Sequence, residues 1–357
     1  MCILRRMAPE NHTLRCSAPL GILGAGALVA LTQACGAPAA TPPPAQTAKV
    51  GAATAPERDE VVLPSEFVAD RIFVRPTTID GRTLRFYTDS GGGSQFVYPD
   101  VVQRLGLTSA PLEGSPEKLV TAPIPEWRDG AGIPAPLAIH QPAALRSRYV
   151  VVERDRHFTS AGDDGFLGQG WFGGRVWTFD YPGKRLLWHP RGSTPAHRPE
   201  QRVPLHFRLA ADGQPAMHFA RISVEIDDEQ VDVLFDTGAT IDVSPAAEAA
   251  LGPGPESRGT SFIAESKAAQ WRSRHPDWRF VEKAERGTGS AIIEVPKIRV
   301  AGQEVGPVWF TLRKDPNLHE FMSSMMDARI DGALGGSALR FFRVTADYPN
   351  RVAIFAR

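Results

Sequence analysis

Two short segments of this 357-residue chain carry the same arrangement: Phe86-Tyr87-Thr88-Asp89-Ser90-Gly91 and Val233-Leu234-Phe235-Asp236-Thr237-Gly238. Each is a run of β-favouring residues that ends in Asp, a small hydroxyl residue and Gly. One such triplet is an ordinary turn, because Asp, Ser and Gly all favour turn geometry. Two carboxylates brought face to face offer more. They cannot both ionise cheaply, so one keeps its proton while the other acts as a base. A protonated and an ionised carboxyl are the two groups needed to activate a water for attack on a carbonyl carbon.

Other chemistries fit less well. Asp89-Ser90-Gly91-Gly92 also resembles the nucleophile segment of trypsin-like serine proteases, but that family places its His and Asp before the nucleophile. The sole His before Ser90 here is His12, close to the N-terminus, and Thr88 replaces the expected Gly. His319-Glu320-Phe321-Met322-Ser323 lacks the second His of a zinc helix, and the remaining histidines are scattered, so no metal site is expected. Gly91-Gly92-Gly93 and Gly335-Gly336 lack the Lys and the helix of a phosphate-binding loop.

The elements that must position the two carboxylates are themselves repeated. Before Asp236, Ala220, Ile222, Val224 and Ile226 alternate with polar residues, Asp227-Asp228-Glu229 turns the chain, and 231–235 runs back into the Asp. Before Asp89, residues 72–74 and 77–79 precede Asp80-Gly81, a favoured hairpin turn, and 83–88 returns. Pro99 and Gly106 bracket a short helix after the first Asp; Ser244-Pro245 and Gly252 bracket one after the second. Asp164-Gly165-Phe166-Leu167-Gly168 matches Asp331-Gly332-Ala333-Leu334-Gly335, and Thr178-Phe179-Asp180-Tyr181-Pro182 matches Thr345-Ala346-Asp347-Tyr348-Pro349. Ordered matches along two segments of similar size indicate an internal duplication.

Over residues 66–357 these features resemble the aspartic protease superfamily, in particular bacterial retropepsin-like proteins with two acid-protease units in one chain. Asp236-Thr237-Gly238-Ala239 is a full match to the motif; Asp89-Ser90-Gly91-Gly92 is looser, with Ser for Thr and extra Gly. The resemblance implies an all-β, two-lobed acid-protease fold with Asp89 and Asp236 as the catalytic pair between the lobes. It gives Ser90 and Thr237 the cross-bonding of the two loops, Gly91 and Gly238 their tight backbone, and Gly168 and Gly335 the support behind them. No cofactor is implied. The expected partner is a peptide or protein substrate.

Lys+Arg and Asp+Glu balance at 40 each, so no global field points to nucleic acid or an anionic membrane. Cys2, Cys16 and Cys35 all precede residue 36, which excludes disulfides and thiolate metal sites from the rest. Arg5, Arg6 and Arg15, the apolar stretch 19–31 and Ala34-Cys35-Gly36 read as an export signal over 1–35. Leu31-Thr32-Gln33-Ala34-Cys35 resembles a bacterial lipobox, offset by one at Leu31, in which Cys35 would be lipidated; plain signal cleavage near Ala39 is the alternative. Residues 36–62 read as an Ala/Pro-rich linker. The expected lobes are 63–192 and 193–357, the second with a helical insertion at about 253–290 that contains a helix at 265–274. Residues 127–132 and 287–290 are candidates for a substrate-covering flap. The sequence thus points to an exported, lipid-anchored aspartic endopeptidase of the periplasm or envelope. The competing reading is an inactive lipoprotein that binds peptide or a protein partner in the same cleft.

Overall fold

The computed structural model describes residues 59–113, 119–137, 148–154 and 162–357. The export signal, Cys35 and nearly all of the 36–62 linker lie outside them. Alternation of side chains builds the strands as expected: in Arg221–Ile226, Ile222, Val224 and Ile226 are buried while Arg221, Ser223 and Glu225 are half-exposed. Strand Glu229–Phe235 pairs back on it through Asp227-Asp228, both with positive φ, a conformation that Asp tolerates better than most residues.

Among the described residues strands outweigh helices, and they are arranged as two equivalent halves on a shared floor. The first half forms an eight-stranded sheet from segments between Ser65 and Leu167, the second a nine-stranded sheet from segments between Arg221 and Leu334. The floor is a six-stranded sheet drawn from both: Val61–Val62, Arg185–His189, Val176–Asp180, Arg343–Asp347, Val352–Ala356 and Arg202–Pro204, in that order. Its central pair is the duplicated terminal strand. Val176–Asp180 lies antiparallel to Arg343–Asp347, and Thr178 sits directly opposite Thr345. This is the two-lobed acid-protease architecture that the family resemblance implied.

Within each half the strand before the Asp runs parallel to the strand before the later Gly. Phe86–Thr88 pairs with Gly165–Leu167, and Val233–Phe235 pairs with Gly332–Leu334, in the same register. The next partner is also equivalent: Phe96–Val97 runs antiparallel to Gly165–Leu167, as Ser261–Ala264 does to Gly332–Leu334. Each continues directly into a helix, Pro99–Arg104 or Glu265–Arg274.

That register reassigns one expected equivalence. The counterpart of helix Pro99–Arg104 is Glu265–Arg274, not Pro245–Leu251. A further segment of the second half stands between its Asp loop and strand Ser261–Ala264. It comprises the hairpin Thr240–Asp242 with Ser257–Gly259 and the helix Pro245–Leu251 between them. Pro and Gly bracket both short helices, so punctuation alone could not tell which one follows the paired strand. Of the two flap candidates, 127–132 is held on the Thr77–Thr83 hairpin by Arg128 N–H to Thr77 O (2.8 Å) and Thr77 N–H to Ala131 O (2.9 Å). Residues 287–290 lie in the connection between strands Phe280–Val281 and Ile292–Val295.

Candidate active site

Each Asp begins where its parallel strand pair ends. Asp89 N–H donates to Leu167 O and Asp236 N–H donates to Leu334 O, both at 3.0 Å. A Gly two residues on then returns a bond to each carboxylate: Gly91 N–H to Asp89 Oδ1 at 2.8 Å and Gly238 N–H to Asp236 Oδ1 at 3.0 Å. The two loops meet, with Gly91 lying against the Asp236 carboxyl and Gly238 against the Asp89 carboxyl. Both are nearly sealed from solvent, at 5% and 3% exposed.

The loops interlock through the hydroxyl residues. Ser90 Oγ donates to Phe235 O (2.9 Å) and accepts from Thr237 N–H (3.0 Å), while Thr237 Oγ1 accepts from Ser90 N–H (3.1 Å). Each side chain thus satisfies buried backbone groups of the opposite half, groups that would otherwise be costly to bury. Thr88, which replaces the Phe of the second copy, donates its hydroxyl to Ile72 O at 3.0 Å and is fully buried. The looser first motif is therefore satisfied in place.

The glycines are where side chains cannot fit. A Cβ on Gly238 would stand 2.1 Å from Asp89 Cγ, and one on Gly91 would stand 2.5 Å from Asp236 Cγ. Behind the loops, a Cβ on Gly168 would strike Gly93 O at 1.8 Å and one on Gly335 would strike Thr260 O at 2.0 Å. The two halves mirror one another at all four positions. Ser261 Oγ adds a polar support in the second half: it accepts from Gly335 N–H (3.0 Å) and contacts Ser337 Oγ (2.9 Å).

Electrostatics follow from this enclosure. The Asp236 carboxyl is held well above the ordinary carboxylate range, first by burial and then by the charge and hydrogen bond of Asp89. The N–H groups of Gly238 and Ala239 pull in the other direction. Tyr181 is buried, and its hydroxyl is pushed up by burial, by Asp70, by Tyr87 and by the two aspartates. Such an arrangement favours a single proton shared by the pair and presents a base beside an acid.

Some members of the site went unread in the sequence. Tyr87, counted there as part of an apolar run, donates its hydroxyl to Gly238 O at 2.6 Å and contacts Thr240 Oγ1 at 2.7 Å. Gly92, counted there as surplus, takes the space against Phe166: its Cβ would lie 2.2 Å from Phe166 Cζ. Its position three residues after an Asp carries no signal of that ring. Among the described residues, no three His, Cys, Asp or Glu side chains cluster to hold a metal ion, and no helix is long and apolar enough to cross a membrane.

No protein-family model matches the chain, and no curated protein matches it. Solved structures do. An aspartic proteinase from Irpex lacteus aligns at 11% identity and a TM-score of 0.45, over 83% of this chain and 97% of that one. Basic 7S globulin from soybean aligns at 10% identity and a TM-score of 0.42, over 84% and 94%. A retropepsin-like aspartic protease from Rickettsia conorii aligns at 14% identity and a TM-score of 0.27, over 43% of this chain and 89% of its own.

Proposed function

We propose that this protein is an aspartic endopeptidase, with Asp89 and Asp236 as its catalytic pair. The observation that carries the reading is the meeting of the two Asp loops, each glycine lying against the opposite carboxyl while its N–H braces its own. In the reaction, the ionised member of the pair takes a proton from a water as the water oxygen bonds to the peptide carbonyl carbon. The protonated member donates to the carbonyl oxygen. When the C–N bond breaks, the nitrogen leaves with the pair's proton while a hydroxyl of the tetrahedral diol gives its proton back to the pair, which yields a carboxyl and an amine and restores the single shared proton. The pair titrates as a unit, so acid and base are not assigned to individual residues.

The lobes, 63–192 and 193–357, would each supply one Asp and grip an extended peptide between them. The signal-like 1–35 and the Ala/Pro-rich 36–62 support export and tethering through a lipid on Cys35, with the enzyme held off the membrane of the periplasm or envelope. Cleavage of a peptide library by the full chain in ¹⁸O-labelled water tests the chemistry. One ¹⁸O in each new carboxyl terminus is expected; cleavage without the label points to another mechanism, and absence of cleavage over the acid to neutral range removes the reading.

The second reading, a non-catalytic protein that binds peptide or a protein partner in the cleft, is favoured by one observation. Both carboxylates are almost fully covered, so substrate access requires the cleft to open. Peptide binding without turnover, undiminished in Asp236→Asn, is the outcome that would establish it.

A further inference from the structure

Tyr87 stands two residues before Asp89, yet its hydroxyl reaches the other half of the molecule. It donates to Gly238 O at 2.6 Å and lies 2.7 Å from Thr240 Oγ1, which also donates to Gly238 O at 2.9 Å. The arrangement is not reciprocal. The residue two before Asp236 is Leu234, a fully buried side chain in an apolar cluster with Phe219, Phe262 and Ala333. The duplication has thus placed a hydroxyl on one side of the pair alone.

The ring that carries this hydroxyl is fixed on several sides. The Arg71 guanidinium lies 4.7 Å above its centroid, and Phe73 and Phe166 contact it at centroid distances of 5.2 and 6.0 Å. What it holds is the residue that holds Asp236. Gly238 N–H donates to Asp236 Oδ1. Ala239 N–H turns back to the Asp236 carbonyl at 3.4 Å and closes the same turn.

We propose that Tyr87 is a positioning residue for Asp236, acting across the two halves through the Gly238 carbonyl. The Tyr87 hydroxyl fixes the Gly238 turn, and with it the Gly238 N–H that donates to Asp236 Oδ1. This inference rests on the proposed reading for its catalytic meaning; the contact itself does not depend on turnover.

Titration separates the two. The charged group that acts on Asp236 is Asp89 from the opposite loop, and the buried Tyr181 hydroxyl feels Asp70 and both aspartates. Arg71 stands over Tyr87. Tyr87→Phe changes none of these and keeps the ring. In the full-length protein with ¹³Cγ-labelled Asp, the Asp236 resonance is identified by its loss in Asp236→Asn and followed against pH. Slackening of the charge-assisted Gly238 N–H bond to Oδ1 by 10–30% predicts that Tyr87→Phe raises the apparent pKa values of the pair by about 0.3 of a unit. Thr178→Val, which removes buried hydroxyl contacts to His189 and Thr345 in the six-stranded sheet, is expected to leave them unmoved. An unchanged or lowered titration in Tyr87→Phe, or an equal rise in Thr178→Val, overturns the proposal. Failure of the parent protein to cleave peptide counts against the endopeptidase reading alone.

Discussion

Gly238 approaches Asp89 so closely that a Cβ on it would stand 2.1 Å from the Asp89 Cγ, and Gly91 bears the reciprocal relation to Asp236 at 2.5 Å. The smallest residue of each loop thus sets the distance of closest approach for the other loop's carboxylate. Gly238→Ala must push either the Asp89 side chain or the loop aside. Displacement of a reacting group by about 1 Å costs on the order of 100-fold in rate, and kcat for peptide cleavage by Gly238→Ala is expected to fall at least that far. Rates within a few-fold of the parent would show that the two loops do not meet as described.

Ser90 serves two buried backbone groups of the opposite half, the Phe235 carbonyl and the Thr237 N–H, whereas Thr237 Oγ1 accepts from Ser90 N–H. Leaving a buried backbone group unpaired costs about 1–3 kcal/mol. Ser90→Ala is therefore expected to destabilise by about 2–4 kcal/mol in urea unfolding, and Thr237→Val by about 1–3 kcal/mol. The double variant should lose less than the sum, because both substitutions break the same interlock. Strict additivity would contradict the cross-bonding.

The raised Asp236 carboxyl has a definite consequence for stability. A group whose folded pKa lies above its unfolded value stabilises the fold fully below the unfolded pKa, near 4, and loses that contribution as pH rises through the folded value. Asp236→Asn removes the charge that must be buried. Relative to the parent, the variant is expected to gain stability steadily as pH rises above about 4. The comparison must be between the two proteins, since Glu66, Asp100 and Asp327 have lowered pKa values and act in the opposite direction. Parallel stability curves for parent and variant would mean that Asp236 ionises freely.

Away from the pair, Arg313 and Glu285 form a buried two-point ion pair at 2.7 and 2.9 Å, each 3% exposed. The pair ties the connection that includes 287–290 to the end of strand Val308–Arg313. Removing one member of a buried pair costs about 3–5 kcal/mol, because the survivor keeps its charge. Glu285→Ala is expected to lose about 3 kcal/mol, and the double variant with Arg313→Met to recover part of it. Equal losses in the single and double variants would show that the contact, and not the stranded charge, matters.

Much of the architecture was legible because the chain says it twice. The Asp loops, the strands before Gly168 and Gly335, and the terminal strands that pair at Thr178 and Thr345 all repeat in order. The slip over the helix after the second Asp has a physical origin. The strand that fixes the equivalence, Phe96–Val97, is two residues long and has no period to read, while Pro and Gly bracket either helix equally well. Tyr87 was missed for a different reason. A Tyr in a buried strand is an ordinary apolar residue by pattern, and only the arrival of Gly238 from 151 positions away gives its hydroxyl a task.

The central claim is that two carboxylates from the two halves act together on one water. The most direct measurement is the pH dependence of kcat/KM for a cleaved peptide, in the parent and in Asp89→Asn and Asp236→Asn separately. A bell-shaped profile in the parent, with cleavage reduced to background in each variant alone, is the predicted result. Parental cleavage in either single variant would contradict it.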